Sequence, residues 1–278
     1  MTTLPTPAIR RLLLVAAITC FHALPATASG LVSHKAAYTL TLDRGGSAPD
    51  VAGAQGRVIF DWRNACAGWT SEYRSVLEVA YAGAEPVRLG VASTTWESNE
   101  GTDYRFSVTH RLNGKTTDRF AGNATLSGPG QKGRVVYSRP RGRKPVLLNE
   151  GTMFPLLHMR AILAKALNAK RFPVIFSTAL FDGMDEEDVF TATTVITEAG
   201  KQPAVRDNGL AGLRSWIISV AYFRDSAKTD APYYEYGIRL YENGVADELS
   251  ISLDDMRLKG KLAKLDLVDA PDCGGVKP

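Results

Sequence analysis

The sequence is short of three features that would point to a common functional class: surplus charge of one sign, catalytic motifs and cysteine. Lysine and arginine total 33 against 29 acidic residues, so the net charge is only +4. A chain that binds nucleic acid normally shows a strongly basic face, and we therefore expect no nucleic-acid partner. The patterns HExxH, G-x-S-x-G and a Cys-His zinc spacing are absent. We predict no metal site, no cofactor and no enzymatic activity; a Ser-His-Asp site assembled from distant residues is the alternative.

A hydrophobic run long enough to span a bilayer is also missing. The apolar stretch Leu12–Phe21 is about half of the roughly 20 residues that a membrane-spanning helix needs. It follows Arg10 and Arg11 and precedes Ala26-Thr27-Ala28, and these are the three parts of a secretory signal peptide. We predict a signal peptide at residues 1–28 and a mature periplasmic domain at residues 29–278 with no transmembrane segment.

Two features of this signal leave alternatives open. Thr19 stands before Cys20, where a lipoprotein signal prefers Gly, Ala or Ser, and the arginine pair resembles part of a twin-arginine signal. We favour general secretion with cleavage after Ala28. Cleavage also removes two positive charges and no acid, so the mature domain is closer to neutral than the whole chain.

Cysteine usage predicts one covalent cross-link. Cys20 leaves with the signal, so only Cys66 and Cys273 remain of the three cysteines. Two cysteines in an exported chain normally pair, because the compartment is oxidising. We predict a disulfide that ties the start of the domain to its end; two free buried thiols are the alternative.

The mature sequence is dominated by alternating apolar and polar residues, the pattern of half-buried strands. Predicted strands lie at residues 34–43, 55–62, 69–79, 87–95, 104–112, 116–126, 134–137, 174–179, 190–197, 214–222, 235–241, 248–253 and 260–268. Asn113-Gly114 and Asn243-Gly244 predict two hairpins, because Asn-Gly suits the tight turns that join antiparallel strands. The fold class is mainly β, in a single domain of many antiparallel strands.

One segment breaks this pattern and predicts the single convincing helix of the mature chain. Pro155 suits a first helical turn. Apolar residues then recur at spacings of three and four, which places them on one stripe of a helix. They are Leu156, Met159, Ile162, Leu163, Ala166 and Leu167.

An acidic run follows the next strand. Five acids lie between Asp182 and Asp188, and Ca²⁺ binds six to eight oxygen ligands. The run lacks the alternating acids and central glycine of a calcium loop, so we interpret it as a solvated turn between two strands.

Several short segments, taken in order, resemble one known family. They are Ala65-Cys66-Ala67-Gly68-Trp69-Thr70, Thr94-Thr95-Trp96-Glu97, Gly151-Thr152-Met153-Phe154-Pro155, Leu180-Phe181-Asp182-Gly183 and Leu240-Tyr241-Glu242-Asn243-Gly244-Val245. Together with a cysteine near the end of the chain, these segments resemble the EipB family of periplasmic cell-envelope-integrity proteins from alphaproteobacteria. The resemblance implies a spiral or open barrel-like curved sheet with one central helix, and a disulfide at Cys66 and Cys273. It implies no catalytic residues.

We therefore predict a periplasmic, non-enzymatic protein that supports cell-envelope integrity through a binding or scaffolding surface. Its partner would be another periplasmic protein or an envelope lipid. The alternatives are a carrier of a lipid or lipoprotein in the hollow of the sheet and, third, a hydrolase. The helix stripe is the candidate border of an apolar groove: Leu156, Met159, Ile162, Leu163 and Leu167 should contact inward-facing strand residues.

Overall fold

The computed structural model describes residues 30–184, 189–199, 209–224, 231–253 and 256–274. Within these ranges the chain forms fifteen strands, one α-helix and one short 3-10 helix. The strands are β1 (His34–Leu42), β2 (Val51–Asn64), β3 (Gly68–Tyr81), β4 (Val87–Ser98), β5 (Asp103–Leu112), β6 (Lys115–Leu126), β7 (Gly133–Arg139), β8 (Val146–Leu148), β9 (Thr152–Met153), β10 (Val174–Leu180), β11 (Phe190–Glu198), β12 (Ser215–Arg224), β13 (Tyr234–Tyr241), β14 (Ala246–Leu253) and β15 (Met256–Leu267). The helices are α1 (Pro155–Asn168) and the 3-10 turn Arg44–Gly46.

All fifteen strands belong to one sheet, in the order β8-β7-β6-β5-β4-β3-β2-β1-β15-β14-β13-β12-β11-β10-β9. Neighbours are antiparallel except β9 and β10, which run parallel. Only residues 149–151 separate the two edge strands β8 and β9 in the chain, and so short a link reaches at most about 14 Å. The edges therefore lie close together and the sheet nearly closes into a barrel. This confirms the predicted fold class.

Alternation along the strands decides which side chains face the inside of the barrel. In β1, Tyr38 and Leu40 are buried, whereas Thr39 and Thr41 are exposed. This is the two-residue period of a strand with one buried face. The buried residues of the other described strands are mainly apolar as well, so the inner face is largely apolar.

The two predicted hairpins are confirmed. Asn113 and Gly114 join β5 to β6 with φ angles of 49° and 80°, the left-handed conformation that this type of tight turn requires at both positions. Gly244, with φ at 85°, lies in the turn between β13 and β14.

Helix α1 packs against the inner face of the sheet. Ile162, Leu163 and Ala166 are buried in a core cluster with apolar residues of β10, β11, β12 and β13. The helix begins at Pro155, as its sequence predicts, because proline has no N–H to lose at the first turn. Its tertiary contacts stabilise a helix of only 14 residues.

Three short elements were not predicted: β8, β9 and the 3-10 turn at Arg44–Gly46. Each has two or three residues, too few for a periodic pattern to emerge. None of the described segments forms a helix with the length and hydropathy that crossing a bilayer requires.

Candidate functional site

The concave side of the sheet contains an open hollow beside helix α1. It consists of two adjoining cavities, which we call the helix cavity, about 390 Å³ in volume, and the rim cavity, about 480 Å³. The two share the lining residues Tyr73, Asp182, Met184, Tyr236, Ile238 and Leu249. We call the two cavities together the inner hollow. Each volume lies in the range of small-molecule binding pockets, roughly 300–1,000 Å³.

The helix cavity lies between the start of α1 and the strands β1 to β5, β13 and β14. Its wall includes Trp62 and Trp69, whose ring centroids are 4.9 Å apart. Leu156 of the helix packs against both tryptophans. Tyr38 and Phe60 continue this wall, so the surface that a ligand would meet is mainly apolar and aromatic.

The rim cavity extends to the edge of the barrel. Leu89, Tyr233 and Leu253 line it and remain 38%, 44% and 38% exposed. Leu89 lies near the start of β4, Tyr233 just before β13 and Leu253 at the end of β14, and these strand ends are at the same end of the antiparallel sheet. The hollow therefore has an apolar border at this end of the strands.

Asp182 places a carboxylate where the two cavities meet. Its Oδ1 accepts a hydrogen bond from the backbone N–H of Met184 at 2.9 Å, and its Oδ2 accepts one from the Tyr234 hydroxyl at 3.3 Å. Its carbonyl oxygen accepts a hydrogen bond from the Tyr104 hydroxyl at 2.6 Å. Burial raises the pKa of Tyr104 and Tyr234 well above 10, so both hydroxyls keep their protons.

Glu97, at the end of β4, is the second carboxylate of the inner hollow. It is 3% exposed, and its Oε2 and Oε1 accept hydrogen bonds from the backbone N–H groups of Leu156 and Leu157 at 2.6 and 3.0 Å. Phe154 occupies the N-cap position of α1 and has no side-chain acceptor, so Glu97 caps the helix from a distant strand. Burial raises the pKa of Glu97 to about 7, against the lowering effect of these N–H groups and of Arg160.

His158 and His34 do not form a catalytic arrangement with the groups that they contact. The Nε2 atom of His158 lies 3.2 Å from the Thr194 hydroxyl, and burial lowers the pKa of this histidine to about 4. Neither residue lines the inner hollow. His34 does line it, but its Nδ1 is 2.9 Å from the Val32 carbonyl oxygen and burial lowers its pKa as well.

The structure divides the predicted helix stripe between two environments. Leu156 and Met159 line the helix cavity. Ile162, Leu163 and Leu167 instead pack against the core formed with β10 to β13, away from the cavity walls. The stripe thus anchors the helix along its length and borders the hollow only in its first turns.

The two cysteines of the predicted disulfide are joined. Cys66 and Cys273 form a bond across 207 residues of chain. Cys66 lies in the turn between β2 and β3, and Cys273 follows β15, so the bond fastens the segment after the last strand to the turn beside the helix cavity.

Part of the acidic run does not form the solvated turn that we predicted. Asp182 lies on the inner hollow, because the chain after β10 turns inward and packs Phe181 against Tyr104 and Phe154. Residues 185–188 are outside the described part of the chain. Within that part, no group of three or more potential ligands could hold a metal ion.

Sequence reasoning missed Glu97 and Asp182 as parts of one site. A signal existed for the first: the predicted helix has Phe154 where Ser, Thr, Asp or Asn is preferred, which indicates that the cap comes from elsewhere. The sequence does not say which acid supplies it.

Comparisons with known proteins agree on one family. The model of the EipB-like family matches residues 25–269. The chain is 32% identical over 253 residues to the cell envelope integrity protein EipB of Brucella abortus (strain 2308), covering 88% of this chain and 87% of that protein. It is also similar to a crystal structure described as a β-barrel-like protein of a domain of unknown function from Brucella abortus, with a TM-score of 0.74, 31% identity, and coverage of 86% of this chain and 99% of that one. On these matches and the curved sheet described above, the chain belongs to the EipB-like family.

Proposed function

We propose that this protein supports cell-envelope integrity in the periplasm by binding an apolar molecule, such as the acyl chain of a lipid or lipoprotein, in the inner hollow. The observation that carries the proposal is the open, mainly apolar space beside α1. A helix that filled the barrel would favour the scaffolding alternative, in which only the outer surface acts. The curated relative is named for envelope integrity, and the predicted signal peptide and the disulfide support a periplasmic location.

The proposed role is non-enzymatic. A hydrolase needs a nucleophile and a base within hydrogen-bond reach in an accessible cleft. Among the described residues, His158 and Thr194 are a histidine and a hydroxyl in hydrogen-bond contact, and both are buried between the helix and the sheet, away from the inner hollow. The walls of the inner hollow have the character of a binding pocket, apolar with a few polar groups.

A fluorescence titration tests this proposal. The uncharged fluorophore N-phenylnaphthylamine should bind the parent protein saturably with increased emission. Met159→Trp should weaken or abolish binding, because Met159 lines the helix cavity and the larger ring would occupy it. Ala164→Trp is the matched control, since Ala164 is exposed on the same helix. If the well-folded parent does not bind, or if both variants bind like the parent, the hollow is not the binding site and scaffolding is the better account.

A further inference from the structure

Positive charge is concentrated in one part of this nearly neutral chain. Residues 104–148, which run from the second residue of β5 to the end of β8, contain ten of the 33 lysines and arginines. They contain one of the 29 acidic residues, Asp118. The flanking acids Asp103 and Glu150 lie at the opposite end of these strands from the β5–β6 hairpin. The strands β5 to β8 therefore form a strongly basic side of the sheet, although the whole chain has a net charge of only +4.

Most of these cations lie at one end of the strands. Because β5 to β8 are antiparallel neighbours, the β5–β6 hairpin and the loop between β7 and β8 are at the same end. Arg139, at the end of β7, pairs with Ala121 of β6, so the loop lies beside the hairpin. Neighbouring strands are about 4.8 Å apart, and β5 and β8 are therefore separated by only about 15 Å. We call the six exposed cations of these two segments the basic edge: Arg111, Lys115, Arg119, Arg139, Arg141 and Lys144.

The basic edge is not neutralised within the described part of the chain. None of its six side chains forms an ion pair with a described acidic residue. Asp118, the one acid between them, is itself exposed. Arg143 of the same loop is excluded from the set because its guanidinium lies over the Tyr137 ring, 4.2 Å from the ring centroid. Exposed charges of one sign repel each other at this separation, so the surface attracts an anionic partner that lies against it.

The basic edge borders the mouth of the inner hollow. Leu112, the residue before the Asn113-Gly114 turn, pairs with Leu89 of β4. The two leucines are 41% and 38% exposed, and Leu89 lines the rim cavity together with His110. Apolar side chains at the mouth therefore lie beside cations. A lipid surface offers phosphate groups to the cations and acyl chains to the leucines, whereas an acidic, hydrophilic protein segment complements the cations alone.

We propose that the basic edge docks on the surface of a membrane that contains anionic phospholipids and so holds the mouth of the inner hollow at that membrane. The inference goes beyond the proposed function, because docking depends on the outer cations whether or not the hollow takes up an acyl chain. A lysine or arginine close to an anionic lipid surface strengthens binding by about fivefold. The attachment is reversible and sensitive to salt, because exposed charges are screened within about 8 Å at physiological ionic strength.

Cosedimentation with lipid vesicles tests the docking. At low ionic strength the exported protein should bind vesicles made of equal parts of phosphatidylglycerol and phosphatidylcholine. It should not bind vesicles of phosphatidylcholine alone. Salt at about 1 M should release the bound protein, since the screening length falls to about 3 Å.

Two double variants separate the basic edge from the net charge. Lys115→Gln with Arg141→Gln removes one cation from the hairpin and one from the loop, and should weaken vesicle binding by about 25-fold. Arg57→Gln with Lys261→Gln is the matched control, because it lowers the net charge equally. Both control residues are exposed and pair with Thr39 from opposite sides of β1, away from the basic edge. The control should bind like the parent.

The proposal is overturned if the folded parent does not bind the phosphatidylglycerol vesicles, or binds both kinds of vesicle equally well. Equal weakening by the two double variants would overturn it as well, because net charge and not the basic edge would then attract the protein. Binding to soluble poly-glutamate without binding to vesicles would assign the edge to an acidic protein partner. The vesicle comparison on the parent requires no variant to fold. Titration with N-phenylnaphthylamine is independent of these results, so a failure of docking and a failure of the inner hollow are distinguished.

Discussion

Replacing Glu97 with glutamine should make the stability of this protein less dependent on pH. Burial raises the pKa of Glu97 from 4.5 to about 7 in the folded protein. Between pH 4.5 and pH 7 the folded state holds a proton on Glu97 that the unfolded chain has released. The stabilisation that comes from this proton is fully present below pH 4.5 and is lost as pH rises through 7. With about 1.36 kcal/mol for each pKa unit, the loss between pH 5 and pH 8 is about 2.5 kcal/mol. Glutamine does not titrate in this range, so the variant should not lose this stability as pH rises.

The assay is urea unfolding, followed by tryptophan fluorescence at pH 5, 6, 7 and 8 and constant ionic strength. The free energy of unfolding of Glu97→Gln relative to the parent should shift by about 2.5 kcal/mol in favour of the variant from pH 5 to pH 8. His158, whose lowered pKa of about 4 makes the folded state less stable as pH falls below 6.5, is present in both proteins and cancels in the difference. Glu100→Gln, an exposed glutamate two residues from β4, is the control and should show no shift. A difference between parent and Glu97→Gln that stays constant with pH would refute the reasoning.

Three further predictions follow from the packing and from the chain termini. Cys66→Ser should lower the melting temperature, because closing a loop of 207 residues destabilises the unfolded state by about 5 kcal/mol; unchanged melting in the absence of reductant would contradict this. Ile162→Ala should reduce the free energy of unfolding by about 2–5 kcal/mol, since Ile162 is fully buried between α1 and the sheet. Urea unfolding that matches the parent would show that this contact contributes nothing. N-terminal sequencing of the exported protein should begin at Ser29, and a start at an acylated Cys20 would replace this prediction with lipid anchoring.

The capping of α1 connects the helix to the binding site. Glu97 both holds the first turn of the helix and lines the helix cavity. Leu156 and Met159, which border the same cavity, lie within this turn and the next. The position of the cavity wall therefore depends on a hydrogen-bonded carboxylate, which is why the stability measurement on Glu97 also bears on the site.

The amino-acid sequence by itself determined the local structure. The period of two in β1, the Asn113-Gly114 turn and the spacing of apolar residues in α1 each depend on neighbours within a few positions, and the structure has a strand, a hairpin and a helix there. The disulfide could be predicted from the number of cysteines alone, because cleavage of the predicted signal peptide leaves only two of them. The family was recognisable because its short segments recur in a fixed order.

Only the tertiary structure decided how these elements enclose space. A two-residue period tells which side chains share a face, but the width of the hollow depends on strand twist, tilt and closure, which accumulate over fifteen strands. The helix stripe could have filled the barrel, yet Ile162 and Leu163 pack to one side of the inner hollow. Likewise, Glu97 lies 59 residues from the helix N–H group that it caps. No local sequence pattern encodes this contact, because it forms only when the curved sheet brings β4 to the start of α1.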